Sequence, residues 1–304
     1  MPKFSAIMPC YNAEKSLGTS IQSVLEQTCE DWELICFNDG STDATPRLLE
    51  CWAKEEPRIR VIHSENRGPA VARNFAASQA TGDILCFLDA DDLWCSEKLE
   101  ELCEVFQDQT VGGAFGEVIF CDEPGEELTR SIVPNERLSL PLLMGENVVC
   151  TMSNFSLRRE LFLEHGGLAQ GFVHNEDLEW LMRLTGLGVV IQPISSPHVW
   201  YRKSSGGLSS DLIAMVRSRR QALRTARFFG YEPKPADEAR YLRYLARRAL
   251  RLDQGAEIAR SFAVAGLKQS PMAFLCPARR GVATALASLL APVIPSAMRR
   301  KFFS

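Results

Sequence analysis

Four places in the sequence space acidic side chains for joint chemistry. The segments Pro9-Cys10-Tyr11-Asn12-Ala13-Glu14, Asn38-Asp39-Gly40-Ser41-Thr42-Asp43 and Asp89-Ala90-Asp91-Asp92 each follow a short apolar run, and Glu176-Asp177 opens a later amphipathic stretch. Carboxylates gathered without a cation repel one another and their pKa values rise. A divalent ion that bridges them to a diphosphate removes that cost. The clusters work together only if the runs before them end at one rim.

The pattern between the clusters supplies that geometry. Apolar runs at residues 4–8, 32–37, 59–62 and 84–88 recur about every 26 residues and read as buried strands. Segments 16–27, 44–54 and 69–80 have helical periodicity, with Ser41 to Asp43 as capping residues and Pro69 at a helix start. Alternating strands and helices give a parallel sheet with helices on both faces, and ligands of such sheets bind at the carboxyl ends of the strands. Further on, 96–107, 159–165 and 176–184 read as helices. Segments 114–121, 150–157, 189–192 and 198–201 read as strands, and 122–140 as a loop over the sheet. Residues 204–210, with Gly206-Gly207, read as a flexible hinge, and everything from 211 onward as helical.

In order, PCYNAE, ELICFNDGSTD, ENRGPAVARN, TGDILCFLDADD and NEDLEWLMRL resemble the motifs of the family 2 inverting glycosyltransferases of GT-A fold, over about residues 3–210. The resemblance implies a nucleotide-sugar donor, a UDP-sugar first, and Mn²⁺ or Mg²⁺ as cofactor. It implies that Asp39 reads the base, with Pro9, Tyr11 and Glu14 around base and ribose. Asp89, Ala90 and Asp91 match the DxD motif, with Asp91 on the metal and Asp89 toward ribose and metal. Arg73 resembles a residue near the diphosphate, and Asp177 of the Glu176-Asp177 pair resembles the general base. Two departures stand out. Asn38 occupies a position where the family commonly has an acid, and Tyr201-Arg202-Lys203 lacks the His that often follows; Arg202 or Lys203 supplies positive charge instead. Asp43 and Asp92 read as capping or supporting acids, and Glu179 as solvated. A nucleotidyltransferase would show a Gly-rich basic loop after the first strand and a Rossmann oxidoreductase GxGxxG; neither is present. A catalytically silent scaffold or sugar-binding relative is the alternative reading.

The composition fits one large domain or two modest ones: 304 residues, 46% hydrophobic and 24% charged, which excludes disordered, collagenous and multi-span membrane classes. Ten cysteines without a CxxC pair, and a start without a readable secretory signal, point to a reducing cytosol and to thiols that mostly serve as small buried apolar groups. The net charge of −4 hides an asymmetry: residues 202–304 hold 20 Lys+Arg against 6 Asp+Glu. The chain therefore reads as a catalytic domain at 1–210 and a basic helical region at 211–304. Arg217, Arg220, Arg224 and Arg227 share one helix face, and Arg240, Arg243, Arg247 and Arg251 share another, opposite Leu242, Leu245, Ala249 and Leu252.

Residues 281–298 are nearly uncharged between Arg279-Arg280 and Arg299-Arg300-Lys301, but Pro292 and Pro295 leave a helix far short of the roughly 20 residues a bilayer needs. Two readings stay open. In one, the tail lies on an anionic membrane surface at the cytoplasmic face. In the other, it packs as core or as a homodimer contact. The expected partners are the donor and a glycan or lipid-linked acceptor of cell-surface polysaccharide assembly; no nucleic acid is expected.

Overall fold

The computed structural model describes residues 3–172, 174–202, 211–252 and 256–293. Of these, the residues up to Leu138 and those from Val148 to 202 form one compact unit, and Ser139–Asn147 with the residues from 211 onward form a second. The expected hinge at 204–210, Lys203 and the basic triplet 299–301 lie outside the described residues.

The first unit is built on β1 (Phe4–Cys10), β2 (Trp32–Asp39), β3 (Ile59–Ser64) and β4 (Ile84–Phe87), parallel and ordered β3-β2-β1-β4. The residues of β1, β2 and β4 are almost all buried, which is why these strands read as continuous apolar runs, whereas β3 at the end of the sheet is largely part-exposed. Helices α1 (Leu17–Leu25), α2 (Thr45–Glu55) and α3 (Pro69–Ser78) make the crossovers. Because the strand order reverses between β1 and β4, the loops at their carboxyl ends flank one crevice.

Beyond β4 the sheet becomes mixed, continuing through β8 (Phe155–Arg158), β6 (Val111–Cys121), β9 (Val190–Arg202) and the short β5 (Leu93–Trp94). Helix α4 (Lys98–Val105) follows β5, α6 (Arg159–Glu164) follows β8, and α7 (Glu176–Gly186) precedes β9. Trp180 of α7 is fully buried and meets Phe87, Phe155 and Phe162 edge-on, with ring centroids 5.0–6.1 Å apart. These contacts seat α7 against β4, β8 and α6 and so fix the start of α7.

Several expectations need correction. Segment 122–140 is not all loop, since β7 (Glu127–Arg130) pairs antiparallel with β6. The two strands expected at 189–192 and 198–201 are one, β9, parallel to β6, because register shifts near Pro193 and Pro197 absorb the missing amide donors without breaking the strand. The strand expected over 150–157 begins only at Phe155, after a turn at Met152–Asn154. Glu179 is not solvated: it is 5% exposed and paired to Arg183, whose guanidinium also binds the carbonyls of His165 and Gly167. Five of the ten cysteines are buried, while Cys51 and Cys276 are exposed.

The second unit comprises α5 (Leu140–Gly145), α8 (Leu212–Phe228), α9 (Pro235–Leu252), α10 (Ala256–Gln269), α11 (Pro271–Leu275) and α12 (Ala278–Leu290). Arg219 of α8 is 4% exposed; it pairs with Glu238, donates to the carbonyl of Met144 and lies over the Tyr241 ring. The arginines of α9 do not form the open lipid-facing row that their spacing allowed. Arg240 pairs with Asp237, Arg247 and Arg251 are half-buried, and Arg243 is 6% exposed with its guanidinium on the carbonyls of Ala273, Phe274 and Cys276, where it caps the last turn of α11. No helix among the described residues is long and apolar enough to cross a membrane.

Near the amino end of β2, away from the crevice, Glu33 accepts from Ser5 Oγ (2.8 Å) and from Thr81 N and Oγ1 (2.6 and 2.7 Å), with Arg60 at 3.3 Å. Burial alone would raise this carboxyl, but the Thr81, Ser5 and Arg60 contacts outweigh it and hold it at about 2. A depressed folded-state pKa gives stability that is complete above about 4.5 and lost as pH falls toward 2, on the order of 3 kcal/mol in all. Glu33→Gln should therefore destabilise the protein clearly at pH 7 and much less at pH 3, which denaturant unfolding at the two pH values measures.

Candidate active site

The acid segment after β4 is held from behind by buried polar groups. Ser153 is the hub: its Oγ accepts the Asp89 amide (3.0 Å) and donates to Asp92 (2.6 Å), while its carbonyl accepts from Trp94 Nε1 (3.0 Å) and Lys98 Nζ (2.8 Å). Lys98 is fully buried over the Trp94 ring, and burial lowers its ammonium to about 8. Asp92 is 1% exposed and also accepts from the Arg202 amide (3.3 Å); burial and the charges of Asp91 and Asp89 raise its carboxyl. Asp92 thus supports the loop. Ser20 Oγ bonds the Ala90 carbonyl from α1 at 3.0 Å.

Asp89 and Asp91 are left at the rim. Arg73, projecting from α3 with its side chain 6% exposed, bonds Asp89 at 2.5 Å and Glu176 at 3.2 Å. One guanidinium therefore joins the end of β4 to the start of α7, where the helix dipole also favours the carboxylates of its first turn. Asp177 is half-buried beside this bridge, and burial, then the Glu176 charge, raises its carboxyl to about 7. Asp91 reaches solvent, yet the packed crevice and then Asp89 raise it to about 6 against the pull of Arg202 and Arg73. Arg202 arches over the loop from β9, its guanidinium on Thr19 Oγ1 (2.6 Å) and the Asp91 carbonyl (3.4 Å).

The loops after β1 and β2 are stitched together. Asn12 Oδ1 accepts from Thr42 N (2.8 Å), and Glu14 accepts from Ala44 N (3.1 Å). Asp43 accepts from Thr45 N (2.9 Å) at the start of α2, the capping role expected of it. Asp39 is 3% exposed, and its two oxygens take the backbone amides of Arg67 (2.7 Å) and Gly68 (2.9 Å). Gly40, at φ +71°, lets Asn66 approach to where a Cβ would stand only 2.6 Å from its nitrogen. Asn38 takes the Ser41 amide on its Oδ1, so its amide nitrogen faces His63 Nδ1 at 3.0 Å. Pro9 lies in β1 and Tyr11 is 54% exposed beside these loops.

Among the described residues no three His, Cys, Asp or Glu side chains stand ready to enclose an ion. Asp89 and Asp91 nevertheless fit Mg²⁺ or Mn²⁺, which are commonly held by one or two carboxylates together with substrate phosphates. The raised Asp91 carboxyl is the electrostatic cost that a cation would relieve. Sequence reading missed Ser153, Lys98 and the pairing of Arg73 with Glu176. Thr151, Ser153 and Asn154, polar residues inside an otherwise apolar run, were the one available signal.

Comparison with known proteins agrees with this geometry. TuaG of Bacillus subtilis (strain 168), a glycosyltransferase assigned to teichuronic acid biosynthesis, is 37% identical over 139 residues, 45% of this chain and 55% of TuaG. The Escherichia coli UDP-Glc:α-D-GlcNAc-diphosphoundecaprenol β-1,3-glucosyltransferase WfgD is 45% identical over 98 residues, 32% of this chain and 38% of WfgD. The chain thus spans about half, or less, of the length of these curated relatives. Staphylococcus aureus TarS (residues 1–349), solved with UDP, superposes with a TM-score of 0.60 at 18% identity over 94% of this chain and 88% of that one. The mannosyltransferase PcManGT from Pyrobaculum calidifontis, solved with GDP-Man and Mn²⁺, gives 0.59 at 20% identity over 99% and 84%. Both share the GT-A fold of mixed sheet and flanking helices. The family model for glycosyl transferase family 2 matches residues 5–166, more than half of the sequence, and the chain belongs to that family.

Proposed function

We propose that the protein is an inverting glycosyltransferase that moves a sugar from a nucleotide-sugar donor, a UDP-sugar first, to a glycan or lipid-linked acceptor in cell-surface polysaccharide assembly. The observation that carries this reading is the Arg73 bridge, which unites the Asp89-Ala90-Asp91 segment with the Glu176-Asp177 pair in one crevice. The names of TuaG and WfgD support the polysaccharide setting, and the ligands of TarS and PcManGT support a nucleotide-sugar donor.

A sugar hydroxyl is a poor nucleophile near pH 7 and must give up its proton as the new bond to the anomeric carbon forms. Asp177 accepts that proton. Burial and the Glu176 charge bring its carboxyl to about 7, where a base is both available and strong enough to work. Glu176, paired to Arg73, ties the start of α7 to α3, and its charge raises the basicity of its neighbour. Asp91, with Asp89, would hold Mg²⁺ or Mn²⁺, which when bound neutralises charge on the departing nucleoside diphosphate. Arg202 adds a fixed positive charge over the same loop, where the family's His is missing. Pro9, Tyr11, Glu14 and Asp39 line the nucleotide side, and attack from the opposite face inverts the anomeric centre.

The acceptor reading extends to a membrane surface. Helix α12 buries its small residues Gly281, Thr284, Ala285, Ala287 and Ser288 and exposes Val282, Leu286, Leu289 and Leu290 as an apolar stripe. Arg279-Arg280 at its start, and Arg299-Arg300-Lys301 further along the sequence, match an anionic lipid interface more closely than a second copy of the same basic region.

Three outcomes are expected. Asp91→Asn should lower transfer at least ~100-fold and abolish Mn²⁺-dependent nucleotide binding while leaving the melting temperature unchanged or higher, since a crowded charge is removed. Asp177→Asn should keep donor binding and lower kcat by about 10²–10⁴-fold; near-parental kcat would remove Asp177 from the role. Leu286→Glu with Leu289→Glu, both on the exposed stripe, should leave folding and solution turnover intact and abolish co-sedimentation with anionic vesicles. A parent protein that ignores such vesicles but dimerises through this stripe overturns the membrane reading.

A further inference from the structure

Helix α9 carries Arg243, Arg247 and Arg251 at i, i+4 and i+8, one above another on one face. The bonds from Arg243 to the carbonyls of Ala273, Phe274 and Cys276 bring the turn between α11 and α12 onto that face, and with it Arg280 in the first turn of α12. Arg243 is consumed by these contacts. Arg247 and Arg251 are half-buried and hold no hydrogen-bond or ion-pair partner among the described residues, and Arg251 Nε is shut off from solvent without a bond.

The electrostatics record an unbalanced group. Burial, then the charges of Arg251 and Arg280, pulls the Arg247 guanidinium down to about 10, and burial and Arg248 lower Arg251. Glu146, at the end of α5, is the carboxylate that acts on Arg243, Arg247 and Arg251 alike. A guanidinium keeps its proton at neutral pH. Several of them withdrawn from water against one carboxylate cost stability unless an anion joins them. Their planar forks match the paired oxygens of a phosphate, and the first turn of a 13-residue helix adds the positive end of its dipole.

We propose that Arg247, Arg251 and Arg280 form a binding site for a phosphate or diphosphate group, built from residues of the helical unit and independent of the carboxylate crevice. The same chemistry is offered by a lipid phosphate headgroup and by a free phosphate, and the two sources are separable by experiment.

Thermal unfolding of the full chain in a chelator, so that the metal-dependent crevice takes no part, should show a saturable rise in Tm of about 4 °C with inorganic pyrophosphate. Arg247→Met with Arg251→Met should remove that rise yet melt at or above the parent temperature without ligand, because an uncompensated charge is gone. Arg280→Gln, a milder change, should weaken the response at least 10-fold in midpoint concentration. Arg220→Gln with Arg224→Gln, exposed on α8, should leave it unchanged. Vesicles of phosphatidic acid in phosphatidylcholine give the second arm: pelleting that depends on Arg247 and Arg251 without a pyrophosphate response assigns the site to lipid phosphate, and a pyrophosphate response without such pelleting assigns it to a free one. The proposal is overturned if neither probe acts through these arginines, or if the Arg247/Arg251 variant loses stability in the absence of anion, as a purely structural pair would.

Discussion

Four carboxylates, Asp89, Asp91, Glu176 and Asp177, meet in one crevice, and the guanidinium of Arg73 makes that gathering tolerable. It is almost wholly withdrawn from solvent, so its attraction for Asp89 and Glu176 is weakly screened; their charges, with that of Asp177, more than offset its own burial cost. The bridge also acts mechanically. It spans residues 103 positions apart in sequence, tying α3, the end of β4 and the start of α7 into one body. It thereby adds a direct link between the acid loop, which Ser153 holds from behind, and the helix that Trp180 seats.

A second layer explains why the acid loop does not collapse onto its own charges. Asp92, Trp94 and Lys98 converge on Ser153 in a buried polar network behind the loop. The buried Lys98 ammonium interacts with the Asp92 charge behind the loop without competing for the solvent-facing oxygens. Low-dielectric networks of this kind are rigid because every partial break leaves an unpaired polar group.

Much of this was legible in the sequence because β1, β2 and β4 are buried on both faces and β2 and β4 lead into acids. The runs before Asp39 and Asp89 left little choice of strand, and the cluster at 89–92 announced its chemistry by residue type alone. What sequence could not yield are long-range partnerships. Arg73 and Glu176 are helical residues whose pairing depends on how α3 and α7 pack, and Ser153 looks like any of the polar residues in its run until its bonds to Asp89, Asp92, Trp94 and Lys98 are seen. The α9 arginines misled for a related reason: a helical wheel gives the face on which residues lie but not what covers that face, and here the α11 carbonyls cover Arg243. Proline-marked gaps at 193 and 197 looked like strand ends because a register shift leaves no trace in hydrophobic period.

The membership of Ser139–Asn147 in the helical unit has a practical consequence for dissecting the chain. The second unit is not a simple C-terminal appendage; it includes a short segment borrowed from the middle of the catalytic sequence. Helix α5 contributes the Met144 carbonyl to Arg219, and Gly145 lies where a Cβ would stand 3.1 Å from the Arg240 side chain. A fragment cut near residue 210 would retain α5 without α8 and α9, and so without the Arg219 and Arg240 side chains that α5 meets. A recombinant catalytic core would need those nine residues replaced by a short polar linker, and grafting the helical unit onto another scaffold would require an internal insertion as well as a tail.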